Sequence, residues 1–167
     1  MGRNIEIKAR AGDLAALAEK VAEVGGSGPE IIRQEDTFFP CAEGRLKLRR
    51  FADGTGELIA YNREGGSGPT ESRYAISPVA DAGRLLSVLS EALGILGIVR
   101  KTRTLHLLGR TRIHLDEVEG LGSFVELEVV LAPDEERNRG LREANEILQR
   151  LGIHRDALLD GAYIDML

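Results

Sequence analysis

The sequence predicts an α+β fold: a closed eight-stranded antiparallel β-barrel with a charged lumen, covered on its outside by helices. Three observations lead there. The first is alternation. In Arg45 to Arg50, read as a strand, Arg45, Lys47 and Arg49 share one face while Leu46 and Leu48 share the other. The same pattern puts Asn4, Glu6, Lys8 and Arg10 together near the N-terminus, and Lys101 and Arg103 together in 99–105. It also groups Arg112, His114 and Asp116 in 111–118, and Glu126 with Glu128 in 124–131. The second observation is the shortness of the strand connections, because tight turns join only antiparallel neighbours. The third is a set of amphipathic helical stretches, which need an apolar surface to pack on. Ile5, Ile7, Leu46, Leu48, Ile113, Leu115, Leu127 and Val129 supply that surface, which leaves the charged faces pointing into the barrel. Closing eight strands removes exposed edges and leaves an interior about wide enough for side chains or one small ligand.

Taken in order, residues 3–10 form the first strand. Asp13 then caps a helix with Leu14, Leu17, Ala18 and Val21 at helical spacing, ended by Gly25-Gly26. A loop is expected from Gly26 to Pro29, followed by a strand over 31–39 with Gln34, Asp36 and Phe38 on one face. The basic strand covers 45–51, and Asp53-Gly54-Thr55-Gly56 is a hairpin signal. The return strand over 57–63 places Glu57, Ile59, Tyr61 and Arg63 on one side. Gly65 to Pro69 reads as a flexible rim loop, and Ser72 to Ile76 as a further strand. A helix over 81–93 carries Leu85, Leu86, Leu89 and Leu93 and stops at Gly94. Strands over 98–108 and 111–118 meet through Gly109-Arg110, and another spans 123–131. Pro133 and Asp134 open a helix to Leu151, and 156–167 forms a short helix with a docked tail. Nothing in the chain marks a linker, so residues 1–167 are expected to form a single domain.

Composition excludes several function classes. The 167 residues are 43% hydrophobic and 29% charged, enough for a real core, with a formal net charge of −5. An acidic chain with 4% aromatics and no tryptophan suits neither a nucleic-acid surface nor an anionic membrane. Cys41 is the only cysteine, so there is no intrachain disulfide and no cysteine-rich zinc site. His106, His114 and His154 lack zinc-ligand spacing. No apolar run approaches the roughly 20 residues of a transmembrane helix. Strand-like sequence begins within a few residues of Met1, which leaves no room for a signal peptide, so a cytoplasmic location is expected. Gly65 to Gly68 lacks the lysine and helix of a phosphate-binding P-loop, and no serine or cysteine nucleophile stands out.

Seven segments in series resemble the CYTH superfamily of triphosphate tunnel enzymes. They are Ile5 to Lys8, Gln34 to Phe39, Arg45 to Arg49, Glu57 to Arg63, Val99 to Arg103, Arg112 to Asp116 and Gly122 to Glu128. The closing Ala162-Tyr163-Ile164-Asp165 is most similar to the class IV adenylyl cyclase branch. The resemblance implies ATP or another triphosphate as substrate, Mg²⁺ or Mn²⁺ as cofactor, and a homodimer. It also implies one of three functions: cyclisation of ATP to cAMP and pyrophosphate, hydrolysis of a nucleotide, thiamine or inorganic triphosphate, or binding without turnover. The chain departs from the family's opening Glu-x-Glu-x-Lys at Asn4, which offers a carbonyl oxygen but no charge.

Within this frame the cations expected to hold phosphate are Lys8, Lys47, Arg49, Arg63, Lys101, Arg103 and Arg112. Arginine offers a planar fork and lysine a point charge. Arg45 and Arg73 are weaker candidates. Glu6, Glu126 and Glu128 are the expected metal ligands, since hard divalent ions prefer carboxylate oxygens. Internal salt bridges to the lysines and arginines would also account for them. Lys8, Lys47, Arg49, Arg112 and Asp116 form the expected catalytic set, with Asp116 either adding a metal ligand or orienting Arg112. His114 is as well explained by a structural role as by a catalytic one.

Overall fold

The computed structural model describes residues 1–63, 65, 66 and 68–167. Among these residues nine strands and three helices follow one another as β1 (Gly2–Arg10), α1 (Leu14–Glu23), β2 (Ser27–Phe39), β3 (Arg45–Phe51), β4 (Gly56–Arg63) and β5 (Thr70–Val79). Then come α2 (Ala82–Leu93), β6 (Gly97–Leu108), β7 (Thr111–Val118), β8 (Gly122–Leu131), α3 (Arg137–Leu151) and the two-residue β9 (Leu158–Leu159). Single 3₁₀ turns at Arg155–Ala157 and Tyr163–Met166 flank β9.

The sheet order is β5-β4-β3-β2-β6-β7-β8-β1, every pair antiparallel, and β1 closes it by pairing with β5. This is the predicted eight-stranded barrel. The closing seam is shared. Residues 2–6 of β1 pair with β5, while Lys8 and Ala9 pair with Leu159 and Leu158 of β9. The C-terminal tail is thereby stitched into the wall just where β5 runs out.

Burial follows the alternation. Ile5, Ile7, Ala9, Ile113, Leu115, Val125, Leu127 and Val129 point outward and are sealed by α1 and α3. Each fully buried aliphatic side chain of this kind contributes about 1.5–3 kcal/mol. Asp13 caps α1 by accepting from the Ala16 amide at 3.0 Å, and Leu17 and Val21 face the barrel. In α3, Gly140 lies so close to β1 that a Cβ there would sit 2.8 Å from Ile5 Cγ1, so only glycine permits this contact. On the other side of the barrel, α2 covers Phe39 and Leu48 with Ala82, Leu85, Leu86 and Leu89. Among the described residues no helix is long and apolar enough to cross a membrane.

Three boundaries differ from expectation. The loop expected at 26–29 is largely strand: Ser27 pairs with Leu107, and a bulge before Glu30 absorbs the Gly28-Pro29 step. β5 runs from Thr70 to Val79 rather than 72 to 76, because β4 offers partners out to Pro78 and Val79. The third helix begins at Arg137, not at Pro133. The Glu135 side chain accepts from the Ala132 amide and from Arg110, which holds 132–136 as a turn. Of the rim loop expected at 65–69, Ser67 lies outside the described residues.

Candidate active site

The inward faces enclose a cavity of about 600 Å³, within the usual range for small-molecule sites. Lys8, Lys47, Arg49, Arg63, Lys101, Arg103 and Arg112, the seven cations expected to hold phosphate, all line it, and so do Glu6, Glu126 and Glu128. Arg45 also lines it. Arg73 does not: its side chain is on the outer face, paired with Glu71 and 65% exposed.

The lumen has a cationic wall and an acidic wall. On the β2–β3 side, Asp36 accepts from Lys47 Nζ at 2.9 Å and from Arg49 Nε and Nη2 at 2.9 and 3.1 Å. The β-register makes this cluster, since Asp36 is directly opposite Arg49. Burial opposes ionisation of Asp36, yet Arg49, Lys47 and Lys101 hold its carboxyl well below the usual carboxylate range. On β6 and β7, Arg103 forms a fork onto Asp116 at 2.8 and 2.7 Å and reaches Glu126 at 3.1 Å. Asp116 is fully buried and also faces Lys101 at 3.5 Å. It therefore orients Arg103 and Lys101, not Arg112, whose Nε donates to Glu128 at 2.8 Å. Burial, reinforced by Arg103, pushes the Lys101 ammonium down to about 7 against the pull of Asp116.

The acidic wall gathers on β1 and β8, where Glu6 is directly opposite Glu128 and Lys8 opposite Glu126. Burial, then Glu128 and Glu126, push the Glu6 carboxyl up to about 7. Ligand atoms of His114, Glu126 and Glu128 lie within 4.8 Å of one another. His114 Nδ1 is 3.2 Å from Glu126 Oε1, and burial together with Arg103 lowers the imidazole below its ordinary value, so its ring is neutral at pH 7. The Asn4 side chain is buried in the same wall, and its Oδ1 has no hydrogen-bond partner among the described residues. Crowded carboxylates, a neutral imidazole and an unsatisfied amide oxygen are a donor set that fits a hard divalent cation.

Sequence reasoning missed the C-terminal contribution. Tyr163 is buried, donates from its hydroxyl to Asp116 at 2.9 Å, and presents its ring to Lys8 and Lys101. The Gly161 carbonyl accepts from Lys8 Nζ and Arg63 Nη1, both at 3.1 Å. Asp165 pairs with Arg45 at 2.7 Å. Apolar Leu158, Leu159, Tyr163 and Ile164 were the available signal that the tail packs on the barrel, with Tyr163 buried and the other three partly so.

A second hollow of about 770 Å³ lies beside the start of α2 and the turn after β7, and shares Gln34, Phe51 and Lys101 with the lumen cavity. Its outward Arg50 and Arg100 are both held by Glu35.

The model of the CYTH domain matches residues 2–163. The chain belongs to the CYTH family. A Methanocaldococcus jannaschii protein named putative adenylate cyclase MJ0240 is 26% identical, with 97% of each chain covered. Among solved structures, the Pyrococcus horikoshii protein PH1012 superposes with a TM-score of 0.88 at 21% identity, covering 98% of this chain and 99% of that one. A putative adenylyl cyclase from Hippeastrum, described as having a dominant triphosphatase activity, superposes at 0.57 with 20% identity, covering 90% and 88%. These likenesses show that the barrel is the CYTH tunnel fold.

Proposed function

We propose that this CYTH protein is a metal-dependent enzyme of the class IV adenylyl cyclase type, converting ATP to cAMP and pyrophosphate. The observation that carries the reading is the two-walled lumen: clustered guanidinium and ammonium groups face a carboxylate cluster across one cavity. Uncharged Ile32, Ile59, Ile76, Leu105 and Tyr74 line the same space and give a nucleoside a surface that inorganic triphosphate would not need.

In this reading Lys47, Arg49, Lys101 and Arg103 take the β- and γ-phosphates, exchanging part of their pairing with Asp36 and Asp116 for phosphate oxygens. Lys8, Arg63 and Arg112 hold the chain from the β1–β8 side. Asp116 touches no substrate and keeps Arg103 and Lys101 aimed. The ribose 3′-oxygen attacks the α-phosphorus, the α–β anhydride bond breaks, pyrophosphate leaves against the cationic wall, and the hydroxyl proton passes to water. Glu6, Glu126 and Glu128, with Asn4 Oδ1 and His114 beside them, would hold Mg²⁺ or Mn²⁺, which supplies neutralisation of charge on the phosphate oxygens. Positioning and electrostatics are the usual means of catalysis in phosphoryl transfer.

A second reading, hydrolysis of a triphosphate at its terminal phosphorus, is favoured by the activity described for the Hippeastrum neighbour. Incubation with ATP and either metal, followed by separation of all products, decides between them, with Lys47→Ala and Glu126→Ala variants alongside. cAMP and pyrophosphate, lost in both variants, support the cyclase. ADP and phosphate, lost likewise, replace it with the triphosphatase. Tight ATP binding without product would make the chain a binding protein.

A further inference from the structure

Lys8 and Lys101 are 96% and 92% buried as residues, yet few protein atoms satisfy their ammonium groups. Lys8 Nζ has the Gly161 carbonyl at 3.1 Å and Glu126 at 3.5 Å. Among the described residues Lys101 pairs with Asp116, also at 3.5 Å. Both ammonium groups lie against the same aromatic ring: Nζ is 4.1 Å from the Tyr163 centroid for Lys8 and 4.8 Å for Lys101. An aromatic face attracts a cation most strongly where water is excluded. The ring is itself fixed from two sides. Its hydroxyl donates to Asp116, and its ring packs against that of Phe124, tilted by 57° with centroids 4.9 Å apart. The turn before it is equally constrained. Gly161 has φ +83°, and a Cβ there would approach Asp165 Oδ2 to 2.9 Å, so glycine is required at the turn whose carbonyl receives Lys8 and Arg63.

We propose that Tyr163 is a positioning residue of the phosphate site: its ring is the shared platform that holds Lys8 and Lys101 toward the lumen, and the C-terminal tail is therefore a working part of the site. The inference rests on the triphosphate reading above. It adds to that reading a residue from outside the barrel strands, and a role for the tail beyond closing the seam. The hydroxyl and the ring have separable parts. Asp116 keeps both Arg103 bonds when the hydroxyl is removed, whereas the lysines lose their platform when the ring is removed.

The test is calorimetric titration of the full chain with inorganic tripolyphosphate in EDTA, so that neither metal nor turnover enters. Tyr163→Phe keeps the ring, and its affinity should lie within about threefold of wild type. Tyr163→Leu keeps apolar bulk without a π face and should bind on the order of 10-fold or more weakly. Ile164→Ala is the control for mere packing. Ile164 is partly buried, packs against the same cluster and touches Gly97 in β6. This variant should melt earlier and bind normally. Equal weakening in Ile164→Ala and Tyr163→Leu, or full affinity in Tyr163→Leu, would overturn the proposal. A second measurement needs no variant. A ring at these distances shifts the Lys8 and Lys101 ε-methylene proton resonances upfield, and the shifts should persist in the tripolyphosphate complex. Their collapse on binding would mean that the platform is abandoned, and would equally overturn it. Absence of any tripolyphosphate binding by the wild-type chain would remove the triphosphate reading itself, and the proposal with it.

Discussion

Asp36→Asn should make the protein less stable and its grip on triphosphate tighter. Asp36 is 2% exposed and accepts three hydrogen bonds from Lys47 and Arg49 at 2.9–3.1 Å. Removing one partner of a buried ion cluster costs about 3–5 kcal/mol, because the remaining charges are left uncompensated. Asparagine keeps one acceptor oxygen, which places the loss near the lower end, about 3 kcal/mol. At about 2–4 °C per kcal/mol for a chain of this size, the melting temperature should fall by roughly 6–12 °C. The same two cations are those proposed to take phosphate, and in the wild type the ligand competes with Asp36 for them. If half of the loss returns on binding, tripolyphosphate affinity rises about tenfold. The chain has no tryptophan, so far-UV circular dichroism is the appropriate melting probe, with calorimetric titration for affinity. A variant that folds, melts several degrees lower and binds tripolyphosphate no more tightly than wild type would refute the reasoning, because Asp36 would then not be standing in for phosphate.

Three further outcomes follow from the lumen charges. The folded protein keeps a proton on Glu6 up to about pH 7, whereas the ordinary carboxyl loses it near 4.5. Metal-free stability should therefore fall as pH rises between those values and stay low above them. Glu6→Gln, followed by urea unfolding in EDTA, should be indistinguishable from wild type near pH 4 and about 3 kcal/mol more stable at pH 8. Lys101 loses its charge above about pH 7, so tripolyphosphate affinity should drop by up to tenfold per pH unit above that point. Lys101→Met should bind more weakly at pH 6 and lack this component of the pH dependence. Asn4→Glu would bury another carboxylate beside Glu6, costing about 2 kcal/mol or more without metal. Mn²⁺ should reverse that loss in a thermal melt and bind the variant more tightly than wild type.

Most of the barrel was legible because its strands alternate so regularly. β3 at 45–51 and β7 at 111–118 have the expected limits. The inversion of the charged face into the lumen followed from the helices' need for an apolar surface. What escaped the sequence was pairing. Nothing local in Gln34 to Phe39 says that Asp36 will sit opposite Arg49, or that Asp116 will serve Arg103 rather than Arg112, because cross-strand register is a tertiary property. Gly28-Pro29 carries a turn signal that a bulged pairing with β6 overrides. The contribution of Tyr163 depends on a two-residue strand joining the seam, too short a segment for periodicity to register.

The measurement that most directly tests the central claim is a crystal structure of this CYTH protein with tripolyphosphate bound. The account predicts the phosphates inside the barrel, among Lys47, Arg49, Lys101 and Arg103 on one side and Lys8, Arg63 and Arg112 on the other. Phosphate bound instead in the second hollow beside Arg50 and Arg100, with the lumen salt bridges intact, would contradict it.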